Sequence, residues 1–312
     1  MVQAEDYQRR DPRIEVHSFP QAQGLSGLLN AGIGISDCEF LMRHDADDIC
    51  YPRRMEITLA AFAAEPACIA IGGQADVIDG AGAPLGEMTV PVGVARNTAG
   101  SFFHNTVAHP TATLRYAGLM AAGARYGNDF LRVLPEAERF EVHGLAEDYY
   151  LFGQLSMLGQ CSNVPDKLIR YRWHGGNVSA TRFDEQMAMS LKISRFLARA
   201  FCLQHGLPPF DPAPFCNHGG QLFDIDGRAN FDAEFDAMAA SLRQVLGGAA
   251  LERELSYRRA AAARRVPPLL WRYMQYRRRH TPETGDWNAM RAWLLRRLPG
   301  RGALRAAAPA AA

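Results

Sequence analysis

The spacing of apolar and polar residues over the first 180 positions predicts strands and helices in turn. Residues 13–19 alternate with the period of a strand, whereas Leu25, Leu28, Leu29 and Ile33 have helical spacing. Further strands are predicted at 39–44, 68–72, 75–79 and 165–172, and further helices at 52–64 and 145–159. This alternation predicts an α/β fold with a mostly parallel central sheet that helices cover on both faces.

The pattern changes to helix alone after residue 183. Met187, Leu191 and Leu197 begin an amphipathic helix, a proline-rich break follows at 207–212, and helices are predicted at about 231–246 and 249–265. We therefore expect three parts: an α/β domain, a helical C-terminal extension and a disordered alanine-rich tail. Their predicted bounds are residues 1–182, 183–305 and 306–312, and residues 128–144, which lack periodicity, are predicted as a loop.

Composition fits an ordinary globular chain. The 312 residues are 48% hydrophobic and 21% charged, and the net charge of +1 argues against a nucleic-acid footprint over the whole protein. The six cysteines show no Cys-x-x-Cys spacing, which favours reduced thiols and a cytoplasmic location over a disulfide framework or a zinc site. Neither a signal-peptide core nor an apolar run long enough for a membrane span is visible.

A cluster of carboxylates carries the clearest chemical signal. Asp45, Asp47 and Asp48 come directly after the apolar run 40–42, at a place where open α/β sheets bind ligands. Two carboxylates spaced i, i+2 can face one hard cation, and Mg²⁺ and Mn²⁺ prefer such oxygen ligands. A short motif of this kind also fits a solvated acidic turn or a helix N-cap.

Several ordered motifs around this cluster carry a resemblance. The segments 24–33, 38–48, 51–55 and 70–73 together resemble a family 2 glycosyltransferase of the GT-A fold, over about residues 12–179. The resemblance implies that Asp45 and Asp47 hold Mn²⁺ or Mg²⁺ on the diphosphate of a nucleotide-sugar donor. It also implies that the first strands of the usual domain, which bind the base, are absent. We therefore expect an N-terminally truncated, poorly active GT-A-like domain.

The resemblance also implies a catalytic carboxylate at the start of the helix predicted at 145–159. Asp148 matches the position of the general base, which takes the proton of the acceptor hydroxyl. Glu147 is expected to orient the helix or to bind the acceptor. The alternative is structural, because carboxylates in a first helical turn gain from the helix dipole.

Three further residues are candidates through the resemblance. His109 is a candidate for contact with the donor phosphates or the acceptor, although a buried histidine bonded to backbone is an equal alternative. His174 is a candidate metal or diphosphate ligand, and Arg172 is a weaker phosphate candidate; a polar strand end is the alternative for both. The resemblance implies that the run 171–179, which contains both residues, leads into a mobile loop over the donor.

The predicted function is that of a metal-dependent inverting glycosyltransferase. It would move a sugar from a nucleotide-sugar donor to a saccharide or lipid-linked acceptor, in the synthesis of a cell-surface polysaccharide. The alternatives are a non-catalytic sugar-binding or scaffold protein and, more distantly, a metal-dependent phosphotransferase.

The C-terminal helices add a candidate surface. Arginines recur at 258–259, 264–265, 277–279 and 296–297, with tryptophans and tyrosines between them. Basic helices with aromatic residues are typical of proteins that lie on anionic membranes, which predicts peripheral contact with the inner face of the plasma membrane. A solvated helical face fits equally, and RNA binding lacks an accompanying motif.

Overall fold

The structure is a computed structural model that describes residues 2–21, 24–174, 182–218 and 228–296. Residues 175–179, the last part of the run 171–179, and the alanine-rich tail predicted at 306–312 lie outside the described residues. The domain bounds proposed above stay a prediction.

One six-stranded sheet organises the N-terminal half. Its strands run in the order β1-β5-β3-β6-β2, with β4 paired to β3. The strands are β1 (Phe40–Met42), β2 (Ile49–Cys50), β3 (Ala70–Ile78), β4 (Pro84–Met88), β5 (Thr113–Arg115) and β6 (Cys161–Arg172).

The sheet is mixed, so the prediction of a mostly parallel sheet is confirmed only in part. The long strands β3 and β6 pair in parallel, whereas the other pairings within the described residues are antiparallel. A parallel pair needs a long crossover, usually helical, and the chain supplies one between β3 and β6. The short strands β1, β2 and β5 run back along their neighbours and need no such connection.

Two strand predictions were wrong. Residues 13–19 form no strand, so the sheet does not begin near Arg13; these residues are largely exposed and follow a helix over Val2–Arg10. The strands predicted at 68–72 and 75–79 are one strand, β3. Glycine at position 72 lets β3 pass close to β6 without interruption. A Cβ there would stand 2.5 Å from the side-chain oxygen of Asn163 on β6, which is too close.

The helices predicted at 52–64 and 145–159, those predicted after residue 183 and the one read from the spacing of Leu25 to Ile33 are all present, with shifted ends. The described helices are α1 (Val2–Arg10), α2 (Gly24–Ile35), α3 (Arg54–Ala64), α4 (Val94–Gly100), α5 (Tyr116–Ala122), α6 (Glu147–Met157), α7 (Phe183–His205), α8 (Asp232–Val245), α9 (Gly248–Ala262), α10 (Val266–Arg279) and α11 (Thr284–Arg296).

Helix α6 lies where two hydrophobic cores meet. Leu151 and Leu155 belong to the core under the sheet, which they share with residues of β3 and β5. Tyr149 and Tyr150 belong to a second core formed mainly by α7 to α11. Because both faces of the helix are buried in this way, its first turn is fixed with respect to the sheet and to the C-terminal helices.

Two arginines of the predicted basic surface are instead interior. Arg258 on α9 is fully buried, and Arg264, just after that helix, is also buried. Each donates to backbone carbonyls, Arg258 to Phe215 and Arg264 to Pro214. The basic surface must therefore be drawn from the remaining arginines.

Candidate functional site

The acidic motif forms the turn between β1 and β2, over residues 43–48. The backbone N–H of Arg43 donates to the carbonyl of Ala112 at 3.0 Å, and the buried guanidinium of Arg54 donates to the carbonyl of Arg43 at 2.6 Å. Helix α3 thus holds the turn in place through the side chain of Arg54. The carboxylates are therefore presented by a supported loop.

Asp45 is bonded by its neighbour Arg43. The guanidinium of Arg43 reaches both carboxylate oxygens of Asp45, at 2.6 Å each, in the two-point geometry that arginine forms with carboxylates. Both carboxylate oxygens of Asp45, the residue predicted to bind the metal and the donor, are therefore bonded to Arg43 in this structure. The roles of Asp45 in metal and donor binding stay predictions.

Asp47 and His174 meet across the turn, although 126 residues separate them. The His174 Nε2 lies 3.0 Å from the Asp47 Oδ2, and both side chains are accessible. Neighbouring ligands of one octahedral cation, with bonds of about 2.1 Å, stand about 3 Å apart. A direct hydrogen bond between the two side chains has the same separation, so the role of the pair in metal binding stays a prediction. Within the described stretches of the chain, no group of three or more potential ligands converges on one point.

Asp48 and Arg172 join the turn to the end of β6. One oxygen of the Asp48 carboxylate accepts the backbone N–H of Arg172 at 2.8 Å, and burial raises the pKa of Asp48 to about 6. The guanidinium of Arg172 donates to the carbonyls of Asp47 and Asp79, both at 2.8 Å. Arg172 thus supports the turn in this structure, and its predicted contact with phosphate stays a prediction.

The second carboxylate pair opens α6. Ala146, the residue before it, has a left-handed backbone with φ of 58°, a conformation that costs a residue with a Cβ about 1–2 kcal/mol. Such strained positions concentrate at functional sites. Burial and the neighbouring Asp148 raise the pKa of Glu147 to about 7, and burial also raises the pKa of Asp148.

Asn105 holds Asp148, a contact that the sequence did not predict. The Asn105 side-chain amide donates to the Asp148 Oδ2 at 2.8 Å. The Asn105 Oδ1 accepts the backbone N–H of Val107 at 3.2 Å, which fixes the orientation of the amide. Asp148 keeps partial solvent access, so the carboxylate is held but not sealed. The only sequence signal for Asn105 was its place in the block of residues 104–115.

Arg43 links the two carboxylate groups. Besides pairing with Asp45, its positive charge lowers the pKa of both Asp148 and Glu147, in opposition to the effect of burial. The acidic turn and the start of α6 therefore face one cationic side chain. In the sequence, only the position beside the acidic motif singles out Arg43.

His109 lies deeper than the other candidates. It is buried, and its Nε2 is 3.0 Å from the Tyr126 hydroxyl. Burial lowers the pKa of His109 well below its usual value, so the ring is neutral. Its predicted contact with the donor or the acceptor stays a prediction.

Comparison with known proteins finds a family model that covers the acidic turn. The sequence model described as "Glycosyl transferase family 2" matches residues 2–110. Two Haemophilus influenzae proteins, each described as an uncharacterized glycosyltransferase, are 25% identical over 199 residues and 28% identical over 183 residues. These alignments cover 61% and 54% of this chain, and the chain spans 58% of the length of each relative.

Among solved structures, that of S. aureus TarS 1-349 matches 94% of this chain and 77% of its own length. The identity is 16% and the TM-score is 0.40.

Proposed function

We propose that the chain is a family 2 glycosyltransferase, which transfers a sugar from a nucleotide-sugar donor to an acceptor hydroxyl with inversion at the anomeric carbon; the match of residues 2–110 to the family model supports this proposal. The main support for this proposal is the position of Arg43 between the two groups of carboxylates. This arginine binds Asp45 in the acidic turn, and its charge acts on Asp148 at the start of α6. A donor-binding turn and a candidate base thus share one cationic neighbour.

A divalent cation, Mn²⁺ or Mg²⁺, is the proposed cofactor. When bound, such an ion stabilises the negative charge of a leaving nucleoside diphosphate. Asp47 and His174 would hold it, since their donor atoms already have the separation that neighbouring ligands require. Asp45 would join them only on release from Arg43, which would then be available for donor phosphate.

Asp148 is the proposed general base. It would accept the proton of the acceptor hydroxyl as that oxygen attacks the anomeric carbon. The Asn105 amide holds the Oδ2 of Asp148, and the backbone N–H groups of Asp148 and Tyr149 also favour the charged form of the carboxylate. The raised pKa of Asp148 suits this role, because a base is most effective when its pKa is near the working pH. Glu147 would orient the first turn or bind the acceptor.

The acceptor is proposed to be a saccharide or a lipid-linked saccharide, and the process to be cell-surface polysaccharide synthesis in the cytoplasm or at the inner face of the plasma membrane. Within the described part of the chain, no helix is both long and apolar enough to cross a bilayer. A lipid-linked acceptor would bring the protein to a membrane surface.

Calorimetry tests the donor site. Wild type should bind UDP or GDP in the presence of Mn²⁺, and Asp47→Ala and His174→Ala should each weaken this binding by about tenfold or more. Asp166→Ala, a carboxylate on β6 outside the turn, serves as the control. Equal binding by wild type and Asp47→Ala would remove the metal site from the proposal. Failure of all forms to bind either nucleotide would favour the non-catalytic alternative.

A further inference from the structure

Helix α10 has apolar residues on two opposite faces. Leu269, Tyr273 and Tyr276 point inward and are buried in the C-terminal core. On the opposite side, Trp271 is 62% exposed and Met274 is 55% exposed, with Leu270 beside them. One apolar face is enough to hold a surface helix to its core. The second face therefore requires another explanation.

Helix α11 adds a partly exposed tryptophan at the border between the two faces. Trp287, on its first turn, is 43% exposed and stacks on Tyr273 with ring centres 6.3 Å apart. The guanidinium of Arg277, one turn after Met274, lies 5.6 Å from the centre of the Trp287 ring. Leu270, Trp271, Met274 and Trp287 together are called the aromatic patch below.

The charge next to the aromatic patch is of one sign. Residues 264–280 contain six arginines and no aspartate or glutamate. Arg264 is buried and Arg272 is paired with Asp232 at 2.7 Å, so neither contributes to the outer surface. Arg277, Arg278 and Arg279 are exposed at the end of α10, and no carboxylate of the described residues lies within ion-pair distance of them.

We propose that the aromatic patch and Arg277–279 rest on the surface of an anionic phospholipid bilayer. Tryptophan is enriched at the level of lipid headgroups, where its ring meets both apolar and polar surroundings. Basic residues beside it bind anionic headgroups, and the two together are the ordinary composition of a helix that lies in the membrane interface. The surface concerned is α10 with the first turn of α11, and the partner is an anionic lipid bilayer.

Co-sedimentation of the full chain with lipid vesicles tests this inference directly. Vesicles of phosphatidylcholine with about 30% phosphatidylglycerol should bind the protein at 0.1 M salt, whereas vesicles of phosphatidylcholine alone should not. Raising the salt to 0.5 M should weaken binding, because screening shortens the reach of the headgroup charge. Trp271→Ala should reduce binding by about tenfold. Arg278→Gln should reduce it by about fivefold.

Matched variants separate the patch from the general properties of the chain. Leu203→Ala removes an exposed apolar side chain of α7, and Arg9→Gln removes an exposed arginine of α1; both should leave vesicle binding unchanged. Equal binding by wild type and Trp271→Ala, or equal binding to neutral vesicles, would overturn the inference. So would a dimer in sedimentation velocity that Trp271→Ala dissociates, since a second copy would then occupy the patch. Because this assay uses no donor or acceptor, its outcome is independent of the proposed transferase activity.

Discussion

Two clusters of arginines and carboxylates in this protein have opposite character. One surrounds Arg258 in the C-terminal helices, and the other surrounds Arg43 between the acidic turn and α6. Both combine a guanidinium with carboxylates and an asparagine. Their difference lies in how completely the polar atoms are satisfied and in how much solvent reaches them.

The Arg258 cluster is buried and densely bonded. Its guanidinium donates to Glu254 at 2.7 Å, to the Phe215 carbonyl at 2.7 Å and to the Asn217 side chain at 2.5 Å, and it lies 3.0 Å from the His104 Nδ1. Glu254 lies on α9, Phe215 and Asn217 precede α8, and His104 follows α4. The cluster therefore ties the helical extension to the sheet domain.

The Arg43 cluster is only partly closed. Asp47 and Asp148 remain accessible, one oxygen of Asp48 is buried without a hydrogen-bond partner, and the pKa of Glu147 is raised. Buried groups left in this state cost stability, and such costs concentrate where a ligand or a proton is to be received. We therefore expect the satisfied cluster to stabilise the fold and the partly satisfied one to take part in the proposed reaction.

Arg258→Met should give the largest change in stability. It leaves Glu254 buried without its cation, and losses of about 3–5 kcal/mol are typical when one partner of a buried pair is removed. Urea unfolding followed by circular dichroism measures this loss. Arg243→Met is the control, because the exposed pair of Arg243 with Glu252 contributes about 1 kcal/mol or less. A loss no larger than that of the control would mean that the Arg258 cluster does not hold the extension.

Glu147→Gln should change how stability depends on pH. The folded state raises the pKa of Glu147 from 4.5 to about 7, so it holds the proton more tightly than the unfolded chain does. The free energy of unfolding should therefore fall as pH rises from about 4.5 to 7, by roughly 3 kcal/mol at most. Urea unfolding at several pH values should show a smaller fall for Glu147→Gln than for wild type, because the raised pKa values of Asp48 and Asp148 keep part of it.

The control for that series is Glu56→Gln. Glu56 is exposed on α3, and the Arg53 guanidinium holds the pKa of Glu56 below its usual value, so its contribution should be small and of opposite sign. Parallel pH profiles for wild type and Glu147→Gln would show that Glu147 is not held in a protonated state by burial.

Asn105→Ala should have the smallest effect of the three, and it acts on the Arg43 cluster alone. It removes the donor that favours the charged form of Asp148, so the acidic limb of the activity profile should move to higher pH. The turnover rate should fall by about tenfold, as for one hydrogen bond to a charged group. Asn30→Ala, which removes a bond to the Tyr126 backbone, should lower stability without moving the limb.

Sequence patterns predicted the elements that local spacing determines. The helical period of residues 145–159 and the i, i+2 carboxylates at 45 and 47 depend only on near neighbours. The direction of strand pairing depends on distant partners, which is why the mixed sheet was missed. Residues 13–19 alternate like a strand but find no strand to pair with, and local periodicity cannot reveal that absence.

The same dependence on distant contacts explains which site residues the sequence could predict. The sequence identified Asp47, His174 and Asp148 through motifs, and the structure brings Asp47 and His174 together. The sequence did not reveal the roles of Arg43 and Asn105, because these roles depend on contacts with residues from other strands and helices. Arg258 was misassigned to the surface for a related reason: a basic pair on a helix looks solvated until the tertiary partners of the buried member are known.

Asp148 is proposed to be the general base beside the acidic turn. The most direct measurement compares sugar transfer by wild type and by Asp148→Asn, with Mn²⁺ and a nucleotide-sugar donor, while calorimetry measures donor binding by both. Asparagine keeps the shape of the side chain but cannot accept the proton, so transfer should fall by about 10²–10⁴-fold with donor affinity nearly unchanged. Near-normal transfer by Asp148→Asn would show that the base lies elsewhere, with Glu147 as the nearest carboxylate.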